Sequence, residues 1–378
     1  MSRVKKVAVR GGVIVLLLAA CFLAWVWLVT YHPAAVEDVP VQCAEGAPTL
    51  KPGQPLKVLS WNVQYMASKR YVFFYDKLDG SGPDERPSPD AIAWTLKEVA
   101  RVIKAEDPDV ILLQEVDRGA KRTDFEDQTA LLLALLPRDT WRCVAQTPYW
   151  KADFVPHPRI MGAVGLELVT LSKYRLSRAT RHALPMFQQD PLTDQFYIKR
   201  ALLAAEAPVQ GGGAISLMNT HLDAFAQGTD TMERQVQAVM RLTDAATADK
   251  KQWVVGGDFN LLPPGASYER LPPDQRAYFN PKGSEIKPMF DAGYTAVPSL
   301  ELVNGPDYKR ALTHIPNDPK DSPLDRPIDY LFFPPHTALT DPHVRQQDTT
   351  TISDHVPVVA TFAVSGATGA TGAAGADR

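Results

Sequence analysis

Eight polar residues in this chain stand where chemistry could be done: Asn62, Glu115, His221, Asp258, Asn260, Asp329, Asp354 and His355. Most of them close an apolar run, as in Leu59-Ser60-Trp61-Asn62, Val110-Ile111-Leu112-Leu113-Gln114-Glu115, Leu217-Met218-Asn219-Thr220-His221 and Val254-Val255-Gly256-Gly257-Asp258-Phe259-Asn260. Such a pattern sets acids, amides and imidazoles at the mouths of core strands. A divalent-metal phosphoesterase needs that arrangement.

Hydrolysis of a phosphodiester requires neutralised phosphate charge, an activated water and help for the leaving oxygen. A hard cation such as Mg²⁺ supplies the first and takes carboxylate, carbonyl and water ligands. Asn62 and Glu115, closing neighbouring strands, suit that role, although a single Glu also closes many strands by chance. A His beside a carboxylate is the usual acid or base near neutral pH, because the carboxylate fixes its tautomer and stabilises its charged form. His355 is the candidate, Asp329 in Pro327-Ile328-Asp329-Tyr330 its expected partner, and His221 a second imidazole whose alternative is a structural role. Asp258 and Asn260 are two apart after a Gly pair, so in an extended segment they would point to one side while the glycines admit close backbone approach. Asp258 could orient the water or bind metal, and Asn260 could donate to a phosphoryl oxygen.

Together, Trp61-Asn62, Gln114-Glu115, Thr220-His221-Leu222, Gly257-Asp258-Phe259-Asn260, Ile328-Asp329-Tyr330 and Ser353-Asp354-His355-Val356-Pro357 resemble the endonuclease/exonuclease/phosphatase superfamily. That superfamily includes pancreatic-type deoxyribonucleases, apurinic endonucleases, inositol polyphosphate 5-phosphatases and neutral sphingomyelinases. The resemblance runs over residues 56 to 364 with the motifs in order. It implies an α/β fold, a four-layered sandwich of two face-to-face mixed β-sheets flanked by helices, with a Mg²⁺- or Mn²⁺-dependent site at one end. Carried over by position, it makes Asn62, Glu115 and Asp354 metal-site residues, and His221 a phosphate-stabilising or acid residue. Asp258 and Asn260 would orient nucleophile and phosphate, with His355 as base polarised by Asp329. The expected substrate is a membrane lipid or another extracytoplasmic phosphate ester, with an extracytoplasmic nuclease as the alternative, and a binding module on an inactive fold is disfavoured by the full set of catalytic residue types.

The elements that must position these residues are legible in outline. Apolar strand-like runs occupy 56–62, 110–115, 162–172, 200–208, 214–221, 253–258, 328–333 and 356–364. Ser88-Pro89-Asp90 opens a helix whose Ile92, Leu96, Val99 and Ile103 share a face until Asp107-Pro108 ends it. Asp230 with Glu233 reads as a capping-box-like start for a second helix, and 124–136 suggests a third. Gly211-Gly212-Gly213 reads as a hairpin turn, and 261–288 as a loop-rich excursion. Tyr71, Phe73, Phe74 and Tyr75 open an insertion that could touch lipid or pack in the core. Glu167, inside an apolar run, could form an internal salt bridge or support the site from behind.

With 378 residues, 45% of them hydrophobic, the chain can bury a sizeable core; its 40 Lys+Arg against 43 Asp+Glu argue against a general polyanion binder. Residues 1–10 carry Arg3, Lys5, Lys6 and Arg10 and are expected in the cytoplasm. Residues 11–31 are long and apolar enough to span a bilayer, and no Lys or Arg follows until Lys51, which places the rest across the membrane. An uncleaved signal anchor is the favoured reading; cleavage as a secretory signal and lipoprotein processing at Cys21 are the alternatives. Residues 32–54 read as a linker, 55–365 as the catalytic domain and 366–378 as a disordered tail. Cys43 and Cys143 either pair on the outer side or stay as separate thiols. The expected whole is a membrane-anchored monomer with an extracytoplasmic domain.

Overall fold

The computed structural model describes residues 3–224, 226, 228–317 and 322–366; the expected tail, Gly366 apart, falls outside them. Fourteen strands can be followed in chain order. They are β1 Val36–Val39, β2 Val41–Cys43, β3 Pro55–Asn62, β4 Val110–Asp117, β5 Cys143–Val155, β6 Gly162–Ser172 and β7 Arg178–Ala183. After them come β8 Ala201–Pro208, β9 Ala214–His221, β10 Gln252–Asp258, β11 Thr295–Val297, β12 Asp329–Phe333, β13 Leu339–Val344 and β14 Val358–Ala363. They form two seven-stranded mixed sheets, one in the order β1-β7-β8-β9-β10-β12-β11 and the other β13-β14-β3-β4-β6-β5-β2.

The inner faces of the sheets meet through Leu56, Val58, Leu112, Leu168, Leu203, Leu217, Val254 and Leu331, all buried. Outside one sheet, Ile92, Leu96, Val99 and Ile103 of the helix Pro89–Glu106 pack on Leu59, Ile111 and Val359. Outside the other, Val236 and Val239 of the helix Thr231–Ala248 pack on Val255 and Phe332. The four expected layers are therefore present, because each β-run that is apolar on both faces needs a cover on each side. A buried polar link also ties the sheets together below the site: Gln114 Nε2 donates to Asn219 Oδ1 at 2.7 Å, and Asn219 Nδ2 donates to the Leu113 and Val169 carbonyls at 2.9 and 3.0 Å.

Helix ends follow their sequence signals unevenly. Ser88 Oγ caps the first long helix by accepting from the Ala91 N–H at 3.2 Å, with Pro89 at the first turn and Asp107 left-handed at the end. The capping box expected at Asp230 does not form: Asp230 makes no side-chain cap bond and instead lies 3.3 Å from Arg234 Nε, an ion pair one turn along. The third helix spans Gln128–Leu135, capped by Asp127. The hairpin turn at 211–213 joins β8 to β9 as expected, and 261–288 carries only short helical turns.

Residues 32–54 are not a free linker. β1 pairs with β7 and β2 with β5, so the segment lends an edge strand to each sheet. Cys43 and Cys143 face each other in that second pairing and form a disulfide. The aromatic insertion packs inward: Phe73 is fully buried against Tyr65, Tyr71 and Tyr75. The helix Arg3–Val29 is long and apolar enough to cross a membrane and is almost wholly exposed.

Candidate active site

The sheet register assembles much of the site. Asp258 at the end of β10 lies opposite His221 on its parallel neighbour β9 and opposite Asp329 on its antiparallel neighbour β12. Three of the candidate residues thus stand in one row. The parallel pair β3 and β4 brings Asn62 beside Gln114 in the facing sheet, with Glu115 next along.

Backbone geometry turns the last side chains inward. Glu115 sits at φ +57° where β4 slips register against β6, a left-handed conformation that costs a non-Gly residue of order 1 kcal/mol or more. Asn260 is also left-handed, at φ +53°. The extended alternation expected for Asp258 and Asn260 is therefore absent: the strand ends at Asp258, and a tight turn folds Asn260 back so that both reach His221. Gly257 makes the close approach possible, since a Cβ there would lie 1.9 Å from the Thr220 carbonyl oxygen.

The hydrogen bonds centre on Asp258 and the two imidazoles. Asn62 Nδ2 donates to Glu115 Oε1 at 2.9 Å and to Asp258 Oδ2 at 3.0 Å, bracketing two carboxylates, while its own Oδ1 accepts from the Gln64 N–H. Asp258 Oδ2 lies 3.4 Å from His221 Nε2 and 3.5 Å from His355 Nε2. His355 Nδ1 is 2.8 Å from Asp329 Oδ2, and the other Asp329 oxygen is buried without a hydrogen-bond partner. Asp354 Oδ2 accepts from Asn317 Nδ2 at 2.9 Å. All eight candidate residues gather at this end of the sandwich, bordering a cleft of about 350 Å³ or bonded to a residue that does.

The two histidines have opposite electrostatics. Burial lowers the pKa of His221 well below the usual imidazole value, and Arg200 and His355 push the same way. Asn260 Nδ2 donates to the Leu222 carbonyl and lies 3.1 Å from His221 Nε2, and the Tyr149 hydroxyl lies 3.1 Å from His221 Nδ1, so both nitrogens of the neutral ring have a partner. Burial also pulls His355 down, but Asp329, Asp258 and Asp354 outweigh it and hold its pKa well above the imidazole value. Burial raises Glu115, with Asp354 adding to the rise.

This crowding of buried carboxylates fits a divalent cation. Glu115, Asp354 and Asp76 repel one another across the cleft, and burial followed by the Asp354 charge drives the Asp76 carboxyl well up. Among the described residues, donor atoms close enough to share an ion occur in Glu115-His221-Asp258, His314-Asp354-His355 and Asp258-Asp329-His355. Of the expected ligands, Glu115 and Asp354 belong to different such groups and both border the cleft, and Asn62 is bonded to Glu115 and Asp258.

Several residues in or behind the cleft carried no motif. Tyr149 on β5 bonds His221, and Arg200 pairs with Asp223 at 3.0 Å in a buried ion pair. Arg122 clamps Asp117 through two bonds and donates to the Tyr75 hydroxyl, and the His314 ring stands edge-on to His355 at 4.7 Å. Only the buried fate of isolated Arg and Tyr residues could have signalled them.

Residues 59–355 match the model of the endonuclease/exonuclease/phosphatase family. The chain belongs to that family. Its members are metal-dependent hydrolases of phosphate esters. No curated protein matches the sequence. The fold is similar to an endonuclease/exonuclease/phosphatase from Beutenbergia cavernae DSM 12333, with 21% identity, 83% of this chain and 72% of that one covered, and TM-score 0.53. A family protein from Leptotrichia buccalis C-1013-b shows 16% identity, covering 81% of this chain and 99% of that one, with TM-score 0.50.

Proposed function

We propose that this family member is a phosphodiesterase that uses Mg²⁺ or Mn²⁺ and a water nucleophile, acting outside the cytoplasm on a membrane lipid. The observation that carries the chemistry is the buried His355-Asp329 pair aimed at Asp258, beside a cluster of under-compensated carboxylates. Glu115, Asp354 and Asn62 would hold the cation, which when bound neutralises phosphate charge and polarises the phosphoryl group.

The chain's own groups do the rest. Asp329 pins His355 through Nδ1, leaving Nε2 of the charged ring beside Asp258 Oδ2, so a water held at the Asp258 carboxylate can lose its proton to it while the imidazolium steadies the charge. Neutral His221, bonded to Tyr149, and Asn260, bonded to the Leu222 carbonyl, both border the cleft beside Asp258, where they would contact the phosphoryl group. The location rests on the N-terminal helix with its basic flank, and on the Cys43–Cys143 disulfide, a bond that persists in oxidising compartments. An extracytoplasmic nuclease is the second reading, favoured by the family's range of substrates.

The test uses the full-length protein in detergent or vesicles. It should hydrolyse bis(p-nitrophenyl) phosphate with Mg²⁺ or Mn²⁺, lose activity in EDTA and regain it on metal return, and be silenced by His355→Ala. Activity surviving both EDTA and His355→Ala would overturn the mechanism. A panel of plasmid DNA, sphingomyelin and phosphatidylinositol lipids decides the substrate class, and DNA nicking without lipid turnover would replace the lipid reading.

A further inference from the structure

One wall of the cleft is apolar and unused by the chemistry. Trp150, Leu166, Phe196 and Ile198 line it, half-buried apart from the buried Leu166, and Trp150 Nε1 fixes the wall by donating to the Phe196 carbonyl at 2.8 Å. The same strand that supplies Trp150 also receives the end of the N-terminal helix. Thr30 bridges to Ala152, and the Trp25 ring lies 6.1 Å from that of Phe154. Between the two, Ala152, Val155 and Val164 form a small apolar cluster on which Trp150, Ile160 and Phe196 pack. At roughly 3.3 Å per strand residue, the four steps from Trp150 to Phe154 separate wall and helix by only about 13 Å. Met161, next in sequence to Ile160 of that cluster, is exposed, as is Trp27 on the last turn of the helix.

A helix crossing a bilayer emerges at the headgroup level, where Trp residues concentrate. The apolar contacts from Trp25 and Phe154 through the Ala152 cluster to Trp150 and Phe196 therefore link the end of the helix to the cleft wall. We infer that this wall is a hydrocarbon-binding subsite: it takes the acyl or alkyl chain of a phosphodiester lipid drawn from the bilayer that the enzyme itself spans. The inference rests on the phosphodiesterase reading and names the part of the substrate that reading leaves open. Trp150, Phe196 and Ile198 become the specificity residues. A nucleic acid gains nothing from such a wall, since its affinity comes from phosphate contacts and base stacking.

Two experiments on the full-length protein test this. First, the EDTA-treated protein is reconstituted in phosphatidylcholine vesicles doped with a phosphatidylcholine bearing a diazirine near the glycerol end of one chain, then illuminated. Cross-links should appear in the peptides containing residues 149–155 and 196–198 as well as in the helix; cross-links confined to the helix overturn the inference, and this readout needs no turnover. Second, p-nitrophenyl alkyl phosphates from ethyl to octyl are compared below their micellar concentrations. The kcat/KM should rise by up to about fourfold per methylene, the limit set by full burial of each CH₂, and Ile198→Asp should flatten that slope while Ile198→Leu preserves it. A flat series in the unmodified protein, an Ile198→Asp variant that scales all esters down equally, or an oligonucleotide turned over faster than the octyl ester would each overturn it. Failure to hydrolyse bis(p-nitrophenyl) phosphate would instead remove the phosphodiesterase reading and leave the cross-linking result to stand or fall alone.

Discussion

At the scale of single residues, His355 owes its orientation and charge to Asp329. The 2.8 Å contact fixes the ring, and the three surrounding carboxylates favour its charged form. Asp329→Asn keeps the shape while removing the charge that orients and stabilises the imidazolium. We expect kcat to fall by about 10²–10⁴-fold with KM within a few-fold; steady-state kinetics on bis(p-nitrophenyl) phosphate would show this, and a change confined to KM would contradict it. The candidate residues themselves were legible because each closes an apolar run. Their supports were not, since nothing in the local sequence of Tyr149 or Arg200 distinguishes a buried partner of His221 or Asp223 from a surface side chain.

Glu167 is a residue-scale case of the opposite kind. It is buried on β6 with one oxygen lacking a partner, and burial, only partly offset by Arg118, lifts its pKa from 4.5 to about 7. The internal salt bridge, one of the two roles expected from sequence, is not formed among the described residues. The native carboxyl binds its proton more tightly than the unfolded one, so the associated stability is fully present below about pH 4.5 and is lost as pH rises through about 7. Glu167→Gln should therefore unfold at a higher temperature than the parent at pH 8, by up to about 3 kcal/mol in stability, and the two should converge near pH 4. Parallel melting curves across that range would contradict the assignment.

At the scale of elements, strands apolar on both faces could be read directly, because each fills an interior layer and its run is continuous. β5, β7 and β13 could not. Cys143–Val155 alternates buried and half-exposed residues and contains Pro148, and Arg178–Ala183 and Leu339–Val344 are polar strands near sheet edges, where one face or one rail meets solvent. β1 and β2 were hidden for the same reason inside a Pro- and Glu-rich segment. The disulfide compensates for how little β2 buries: it closes a loop of 100 residues, for which a restricted unfolded chain implies about 5 kcal/mol. Replacing both cysteines with Ser should lower denaturant stability by that amount while leaving the cleft intact. Gly257→Ala acts on the central strands instead. Its Cβ would strike the Thr220 carbonyl at 1.9 Å, with no flexible side chain to yield, and the expected cost is on the order of 3–5 kcal/mol, read as a large fall in unfolding midpoint.

At the scale of the whole molecule, the proposed anchoring makes orientation across the membrane decide which substrates the cleft would meet. Arg3, Lys5, Lys6 and Arg10 flank the helix on one side, while the other side carries Glu37, Asp38 and Glu45 before the first Lys at 51. Positive charge is retained on the cytoplasmic face, so the two sheets and their cleft should lie on the far side, where the disulfide between β2 and β5 can persist. A reporter enzyme that matures only outside the cytoplasm, fused after Gly366 of the full chain, should be active. Reversing the flank, with Arg3, Lys5, Lys6 and Arg10 changed to Glu and three Lys placed among residues 33–38, should reduce that activity at least tenfold. The same reversal should leave Cys43 and Cys143 open to alkylation without reductant, since the disulfide would then face the reducing compartment. An active reporter in both forms would mean that the basic flank does not set the topology, and the extracytoplasmic cleft would lose its main support.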